Sequence, residues 1–200
     1  MRLLLVRHGE TTWNAVGRMQ GHADPGLSET GRAQALGLRP LLAGFEPEAV
    51  VSSDLRRARE TLELLGLRGA ADPRWREAHV GDWTGRLVDD LVAEDGTAYR
   101  AWLENLHTPP GGERWEDMRD RVVAAAGALA ADGVETALVV THGGPIRACC
   151  TALADLPRSH LVPVPTASIT KIRLEAASRL VAFGVAPPRL ARRAPTDALA

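Results

Sequence analysis

Residues 3–14 read Leu-Leu-Leu-Val-Arg-His-Gly-Glu-Thr-Thr-Trp-Asn, an apolar run that ends in an arginine and a histidine. An apolar run without alternation is typical of a strand buried on both faces of a parallel sheet. Such a strand places Arg7 and His8 at its carboxyl end, the edge of an open α/β sheet where ligands bind. A histidine there can act as a nucleophile, and the neighbouring arginine can hold a phosphoryl oxygen.

Length and composition indicate one ordinary globular domain. The chain has 200 residues, of which 45% are hydrophobic and 24% are charged, and its formal net charge is -1. This length suits one full core better than two. The near-zero net charge gives no reason to expect a nucleic-acid or membrane partner.

The lack of a recognisable targeting signal and the placement of the cysteines predict a cytoplasmic location. The chain has no run of roughly 18 uncharged apolar residues, which a membrane span needs, and it shows no signal-peptide layout. The two cysteines, Cys149 and Cys150, are adjacent and fit a reducing compartment. We therefore expect a cytoplasmic protein, and the sequence leaves open whether it forms a homodimer.

Strand-like and helix-like runs alternate along the chain. Strands are predicted at Leu3–Val6, Ala49–Ser52 and Ala137–Thr141, each followed by a helix-like segment. This alternation predicts an α/β domain with a largely parallel sheet covered on both faces. Two closing strands, Ile169–Leu174 and Leu180–Gly184, are predicted to form a hairpin.

Capping residues and apolar spacing locate the helices. Ser28 is predicted to cap a helix that Pro40 kinks or ends early, and Asp54 is predicted to cap a second helix. Apolar residues at helical spacing predict a third helix over residues 115–129. Pro145 suits the first turn of a fourth, running to about Ala154.

Two segments are predicted to be less regular. Residues 87–114 end in Pro-Pro-Gly-Gly-Glu-Arg, and we expect them to form a partial lid over the functional edge of the sheet. Residues 1–186 are expected to form the single domain. The remainder, 187–200, is rich in Ala, Pro and Arg and is expected to be a flexible tail.

A second segment with chemical meaning is residues 52–61, Ser-Ser-Asp-Leu-Arg-Arg-Ala-Arg-Glu-Thr. It leaves a predicted strand and opens a helix, which places Arg57 in the first turn, where free amides and the helix dipole favour an anion. Its planar guanidinium can hold two phosphoryl oxygens at once. The alternative is a solvated basic face, because Arg56 and Arg59 stand nearby.

A third segment, residues 76–85, carries two carboxylates, Glu77 and Asp82. Phosphoester hydrolysis needs a proton on the leaving oxygen, which is worth about 10²–10⁴-fold in rate. A glutamate supplies it near neutral pH if burial or phosphate charge raises its pKa. The alternative for Glu77 is a surface position paired with Arg74 or Arg76.

A fourth segment, residues 139–147, reads Val-Val-Thr-His-Gly-Gly-Pro-Ile-Arg. His142 again follows an apolar strand and precedes a helix, so it shares the placement of His8 and can meet it over one crevice. Of the other histidines, His22 and His79 are expected to line the pocket because they flank these segments, whereas His107 and His160 are expected to be surface or structural residues.

In order and spacing, these four segments resemble the histidine phosphatase superfamily, the phosphoglycerate mutase-like enzymes. The resemblance implies a three-layer αβα sandwich with a mixed, mostly parallel sheet. It implies that His8 becomes phosphorylated, that Arg7, Arg57 and His142 surround the phosphoryl oxygens, and that Glu77, ahead of Asp82, is the general acid. It also implies that no metal or other cofactor is needed. The implied substrate contacts are Asn14, Gln20, Gly21 and Gly143.

Within this family the sequence favours a phosphatase acting on a small phosphorylated metabolite. Ala78 stands where the cofactor-dependent mutases carry an arginine, and residues 109–113 resemble the phosphatase branch. Arg114 and Trp75 depart from the family pattern. The alternatives are a cofactor-dependent phosphoglycerate mutase and a binding module without turnover.

The predicted lid carries few cations, chiefly Arg100 and Arg114, which disfavours a bisphosphate substrate. Candidate stacking walls for an apolar or sugar leaving group are Trp83, Tyr99 and Trp102.

Overall fold

A six-stranded sheet lies at the centre of the computed structural model, which describes residues 1–187. The strands are β1 (Arg2–Arg7), β2 (Ala49–Ser52), β3 (Ala70–Ala71), β4 (Thr136–Thr141), β5 (Ser168–Arg173) and β6 (Arg179–Val185). Their order across the sheet is β3-β2-β4-β1-β5-β6. The tail predicted at 187–200 lies outside the described residues, apart from its first residue.

The sheet is mixed and mostly parallel, as predicted. The strands β1 and β4 pair in parallel, with Arg7 opposite Thr141, and β2 runs parallel to both β3 and β4. The predicted hairpin is present, because β5 runs antiparallel to both β1 and β6. The parallel pairing of β1 with β4 brings the residues that follow Arg7 and Thr141 to the same edge.

Helices cover both faces of this sheet. They are α1 (Glu29–Gly37), α2 (Arg39–Leu42), α3 (Arg56–Leu64), α4 (Val88–Leu103), α5 (Trp115–Ala131) and α6 (Gly143–Leu153). Successive residues of β1 face opposite layers: Leu3 and Leu5 pack in the cluster with α5 and α6, and Leu4 and Val6 pack in the cluster with α3. Trp75, which departs from the family pattern, is fully buried in the first of these clusters.

Most predicted helix signals are confirmed. The Ser28 hydroxyl accepts a hydrogen bond from the Gly31 amide at 3.0 Å and caps α1, and the helical segment is interrupted before Pro40, at Leu38. The Asp54 cap is wrong. Helix α3 has Leu55 at its N-cap, and the Asp54 carboxylate instead accepts two hydrogen bonds from Arg76, at 2.7 and 2.5 Å.

The stretch 87–114 is more regular than predicted, because most of it forms α4. This helix contains a break at Asp95, with φ -150° and ψ 80°, next to Gly96. The Asp95 carboxylate accepts hydrogen bonds from the amides of Thr97 and Ala98, at 3.1 and 2.9 Å, and so restarts the helix. The break divides the apolar periodicity, which is why the sequence pattern did not predict one helix. None of the helices within residues 1–187 is long and apolar enough to cross a membrane.

Candidate active site

The four segments meet at one cavity of about 220 Å³ at the carboxyl edge of the sheet. Arg7 and His8 reach it from the end of β1, Arg57 from the first turn of α3, and Glu77 from the loop after β3. His142 follows β4 and lies beneath the cavity, with its ring centroid 5.1 Å from that of His8.

His8 is held as a neutral imidazole with a defined tautomer. Its Nδ1 lies 2.7 Å from the Gly9 carbonyl oxygen. A carbonyl oxygen only accepts, so Nδ1 carries the proton and Nε2 keeps a free lone pair. Burial, followed by the charges of Arg57 and Arg7, lowers the pKa of His8 well below 6.5. The geometry therefore presents an unprotonated nitrogen to the cavity at neutral pH.

Arg57 is fixed from three sides. Its Nε donates to Nδ1 of His142 at 3.1 Å, and its two terminal nitrogens donate to the carbonyl oxygens of Ala23 and Gly21, each at 2.8 Å. Because a guanidinium has five N–H groups, two remain for a ligand. Burial lowers the pKa of Arg57 to about 10, so it stays charged at neutral pH.

His142 is fully buried and acts on the cavity through Arg57. Its Nδ1 accepts from Arg57, so Nε2 carries the proton and donates to the Ser53 hydroxyl at 2.8 Å. Burial and then the charge of Arg57 lower its pKa well below 6.5. Ser53 was not predicted from the sequence, although it directly follows β2 in the same segment as Arg57.

The Glu77 carboxylate rests on the start of α6. It accepts hydrogen bonds from the Gly144 amide, at 3.1 and 3.3 Å, and from its own neighbour Ala78 at 3.0 Å. A Cβ at position 144 would lie 2.1 Å from the Glu77 Oε1, so this approach requires glycine.

The surface alternative for Glu77 is wrong, since Arg76 pairs with Asp54 and Arg74 with Asp72. The competing carboxylate, Asp82, is exposed and does not line the cavity.

Arg121 of α5 fixes the loop that carries Glu77. Its guanidinium donates to the carbonyl oxygens of Arg74, Arg76 and Glu77, at 2.7, 2.8 and 3.0 Å, and forms an ion pair with Glu113 at 2.7 Å. One side chain thus holds three backbone groups of the loop. No pattern in the sequence predicts these contacts of Arg121, because they are purely tertiary.

Three of the four predicted substrate contacts line the cavity, namely Asn14, Gln20 and Gly21. The buried Thr11 hydroxyl lies 3.0 Å from the side-chain oxygens of both Asn14 and Gln20, which leaves their amide N–H groups free to face a ligand. Gly143 does not line the cavity and instead backs onto the Arg7 guanidinium, while the next residue lines it.

An aromatic wall forms one side of the cavity. Trp102 lines the cavity, whereas Trp83 and Tyr99 stand behind it, with ring centroids 5.9 and 5.8 Å from that of Trp102. His107, expected at the surface or in a structural role, also lines the cavity and stacks on Trp83 at 5.7 Å. Arg100 and Arg114 are exposed and do not line it.

The expectation that His22 and His79 line the pocket is wrong, because neither belongs to the cavity lining. His22 and His79 pack edge to face at 5.0 Å, and Nε2 of His22 lies 2.8 Å from the Glu77 carbonyl oxygen. They support the Glu77 loop from its far side. His160 is exposed, as expected.

Arg147 of α6 lines the cavity, and sequence reasoning assigned it no role although it ends the fourth segment. Residues three apart share a helix face, so Arg147 lies on the same side of α6 as Gly144, which also lines the cavity. This spacing is the signal that would have found it.

Comparison with known proteins places this site in a family. Residues 3–183 match the histidine phosphatase superfamily (branch 1). A glucosyl-3-phosphoglycerate phosphatase of Mycolicibacterium vanbaalenii is 40% identical over 169 residues, which are 78% of this chain and 75% of the relative. A metal-independent phosphoserine phosphatase of Arabidopsis thaliana is 38% identical over 156 residues, 73% of this chain and 66% of the relative.

Solved structures agree with these sequence matches. The structure of a mycobacterial glucosyl-3-phosphoglycerate phosphatase in complex with VO3 superposes with a TM-score of 0.86 at 36% identity, and the match covers 92% of this chain and 99% of that one.

Proposed function

The chain belongs to the histidine phosphatase superfamily (branch 1), and from this membership and its cavity we propose a phosphomonoesterase that works through a phosphohistidine on His8. The observation that carries the proposal is the neutral His8, whose Nδ1–H is held by the Gly9 carbonyl and whose Nε2 is free. The substrate is a small phosphorylated metabolite, and the site of action is the cytoplasm.

The first step transfers the phosphoryl group to His8. The Nε2 lone pair forms a bond to phosphorus while the bond between phosphorus and the ester oxygen breaks. Arg7 and the two unengaged N–H groups of Arg57 stabilise the charge on the phosphoryl oxygens. His142 keeps Arg57 in place. In many other phosphoryl-transfer enzymes magnesium neutralises the charge on the phosphoryl oxygens. Here the arginines supply that positive charge, so the reaction is proposed to be metal-independent.

Glu77 moves the proton in both steps. Protonated, it gives its proton to the leaving oxygen, and the alcohol departs. In the second step the Glu77 carboxylate takes a proton from water, whose oxygen attacks phosphorus as the bond to Nε2 breaks. The products are the alcohol and inorganic phosphate, and His8 and Glu77 return to their starting states.

Two further parts of the proposal concern the lid and the choice between phosphatase and mutase activity. Residues 1–186 act as one domain, and 87–114 form a partial lid that receives the leaving group. Cofactor-dependent mutases carry an arginine directly after the acid, where this chain has Ala78. Without that cation, transfer of the phosphoryl group from His8 to water is favoured over its transfer to a second substrate hydroxyl.

Release of phosphate from p-nitrophenyl phosphate tests this proposal. His8→Ala is expected to lower kcat by about 10⁴-fold or more and to abolish an acid-labile phosphoprotein in quenched reactions. His160→Ala, at an exposed histidine, is the matched control and should keep wild-type turnover. EDTA should leave the rate unchanged. Wild-type turnover no faster than that of His8→Ala would overturn the enzyme proposal, and a metal-restored loss in EDTA would overturn the metal-free mechanism.

A further inference from the structure

The backbone at Gly9 sets the tautomer of the nucleophile. Its carbonyl oxygen accepts the proton-bearing Nδ1 of His8 at 2.7 Å, which leaves Nε2 free. Position 9 has no room for a side chain, because a Cβ there would lie 2.4 Å from the carbonyl oxygen of Gly31 in the first turn of α1. Glycine has the freest backbone of all residues. The direction of the Gly9 carbonyl therefore depends on contacts from elsewhere in the chain.

Two side chains from different helices hold the peptide groups on either side of Gly9. The Gly9 amide donates to the hydroxyl of Thr61 in α3 at 3.1 Å. The Glu10 amide donates to the side-chain oxygen of Gln34 in α1 at 3.0 Å. Because the Glu10 amide and the Gly9 carbonyl belong to one planar peptide unit, Gln34 fixes the direction of that carbonyl. Thr61 fixes the peptide unit before it.

The hydroxyl of Thr61 can only accept from Gly9. Its one hydrogen is donated to the Arg57 carbonyl oxygen at 2.7 Å, so its lone pairs are left for the Gly9 amide. Thr61 is fully buried, so water does not reach this amide as a substitute acceptor. Thr61 thereby ties the first turn of α3, which carries Arg57, to the backbone beside His8.

The Gln34 amide group is oriented by the same reasoning. A backbone N–H only donates, so the oxygen of the Gln34 side chain, and not its nitrogen, faces the Glu10 amide. The Thr166 hydroxyl, 3.2 Å away, donates to the same oxygen. Neither Gln34 nor Thr61 lines the cavity, so any effect of these side chains on the reaction passes through Gly9 and His8.

We propose that Thr61 and Gln34 are positioning residues for the nucleophile. They orient the two peptide units at Gly9 so that its carbonyl keeps the proton on Nδ1 of His8 and leaves Nε2 to attack phosphorus. When either contact is lost, the carbonyl can turn away, and His8 then also adopts the tautomer in which Nε2 carries the proton and cannot attack. This inference rests on the proposed phosphatase function.

The kinetics of Thr61→Val test the first contact. Valine is close to threonine in shape but lacks the hydroxyl, so the Gly9 amide loses its acceptor. The value of kcat/KM, which includes phosphorylation of His8, should fall about 10- to 100-fold. The fall should be similar for p-nitrophenyl phosphate and glycerol phosphate, because the change affects the nucleophile and not the proton donor.

Two further variants calibrate this result. Thr61→Ser retains the hydroxyl and should recover most of the lost kcat/KM. Thr151→Val removes a threonine hydroxyl that donates to the Ala148 carbonyl oxygen within α6, outside the cavity lining. It is the matched control and should keep the wild-type kcat/KM.

Heteronuclear NMR of protein labelled at the histidine nitrogens reads the tautomer directly. The His8 signals are identified by their loss in His8→Ala. In the wild type, Nδ1 of His8 should carry the proton and Nε2 should not. In Thr61→Val and in Gln34→Met, the tautomer with a protonated Nε2 should appear as well. Gln34→Glu keeps an acceptor oxygen for the Glu10 amide and should retain the wild-type tautomer.

Two results would overturn the inference. One is that Thr61→Val and Gln34→Met keep both the wild-type kcat/KM and the single wild-type tautomer. The other is a fall in kcat/KM while His8 keeps that tautomer, which would limit these side chains to a role in packing. Gln34 is half-buried on a different helix, so Gln34→Met supplies the test if Thr61→Val fails to fold. The proposed function fails separately, through the turnover of His8→Ala, whereas the tautomer measurement needs no substrate.

Discussion

The cavity has two sides that are built differently. The floor, comprising the proposed catalytic residues Arg7, His8, Arg57, Glu77 and His142, stands on the ends of β1 and β4, the start of α3 and the loop after β3. Hydrogen bonds hold His8, Arg57, Glu77 and His142 in place. The aromatic wall, comprising Trp83, Tyr99, Trp102 and His107, makes ring contacts instead. Tyr99 and Trp102 belong to a helix broken at Asp95, His107 belongs to a loop in which Asn105 has a φ of 64°, and Trp83 ends the short 3-10 helix Gly81–Trp83.

This difference in construction suggests that the floor carries out the reaction and that the wall sets the preference among substrates. Charges that stabilise a transition state are effective when they are fixed before the reaction in a water-poor site. The floor fixes the charge of Arg57 in this way, partly through the neutral His142. Aromatic rings can contact leaving groups of different shapes. A different leaving group can therefore bind against the wall without displacing the residues of the floor. We expect substitutions in the floor to alter turnover of every substrate and substitutions in the wall to alter preference among substrates.

The largest effect that tests this comparison is expected from Glu77→Gln in the floor. The amide keeps a hydrogen bond from Gly144 but cannot donate a carboxyl proton. For an alkyl ester such as glycerol phosphate, kcat should fall about 10²–10⁴-fold. For p-nitrophenyl phosphate the loss should be far smaller, since nitrophenolate leaves without a proton. Steady-state kinetics on the two esters measures the contrast.

Asp82→Asn is the matched control for this substitution, because Asp82 is exposed and outside the cavity. It should keep wild-type kcat on both esters. Equal slowing of the two esters by Glu77→Gln would remove Glu77 as the general acid and make its contact with Gly144 purely structural.

The sequence predicted most of the floor because Arg7, His8, Arg57 and His142 stand at the end or the start of a regular element. Glu77 lies in a loop and was expected from the family resemblance. His8 and His142 come after buried apolar runs whose parallel pairing brings their ends together. Arg57 lies in a first helical turn that the strand before it positions. Local pattern and the rules of α/β topology are sufficient for such residues.

Trp83, Tyr99 and Trp102 were expected as stacking walls. His107 and the supports of the floor escaped prediction for a physical reason. His107 reaches the cavity through stacking on Trp83, a contact between segments that have no regular pattern in sequence. Arg121 holds the Glu77 loop from a different helix, and Arg76 competes for Asp54, so the expected helix cap is lost. Tertiary contacts of this kind override local propensity.

A smaller effect is expected from the wall. Trp102→Ala removes an apolar surface of the cavity, which should raise KM for a sugar phosphate about 10-fold with little change in kcat. Ethyl phosphate, which is too small to reach across the cavity, should be affected much less. Trp102→Phe retains a ring and should recover most of the binding. If kcat fell equally on both substrates, the wall would have to take part in the chemistry, and the division between the two sides would fail.

The smallest effect concerns stability against pH. In the folded chain, burial followed by the charge of Arg57 lowers the pKa of His8 and of His142 well below 6.5. In the unfolded chain both return to about 6.5. Between these values the unfolded state binds more protons, so acidification favours unfolding. The free energy of unfolding should fall below about pH 6.5, by up to about 1.4 kcal/mol per pH unit for each histidine, and should level off above it.

Urea unfolding between about pH 7.5 and about pH 5 measures this slope while the carboxylates stay ionised. His142→Gln retains an amide donor for Ser53 and removes one of the three histidines whose pKa folding lowers, the third being the half-buried His22. The slope should therefore drop by up to half. His160→Gln removes an exposed histidine and should keep the wild-type slope. A wild-type slope no steeper than that of His142→Gln would mean that folding does not force this imidazole into its neutral form. The floor would then owe its order to hydrogen bonds alone, and its contrast with the aromatic wall would be one of geometry without electrostatics.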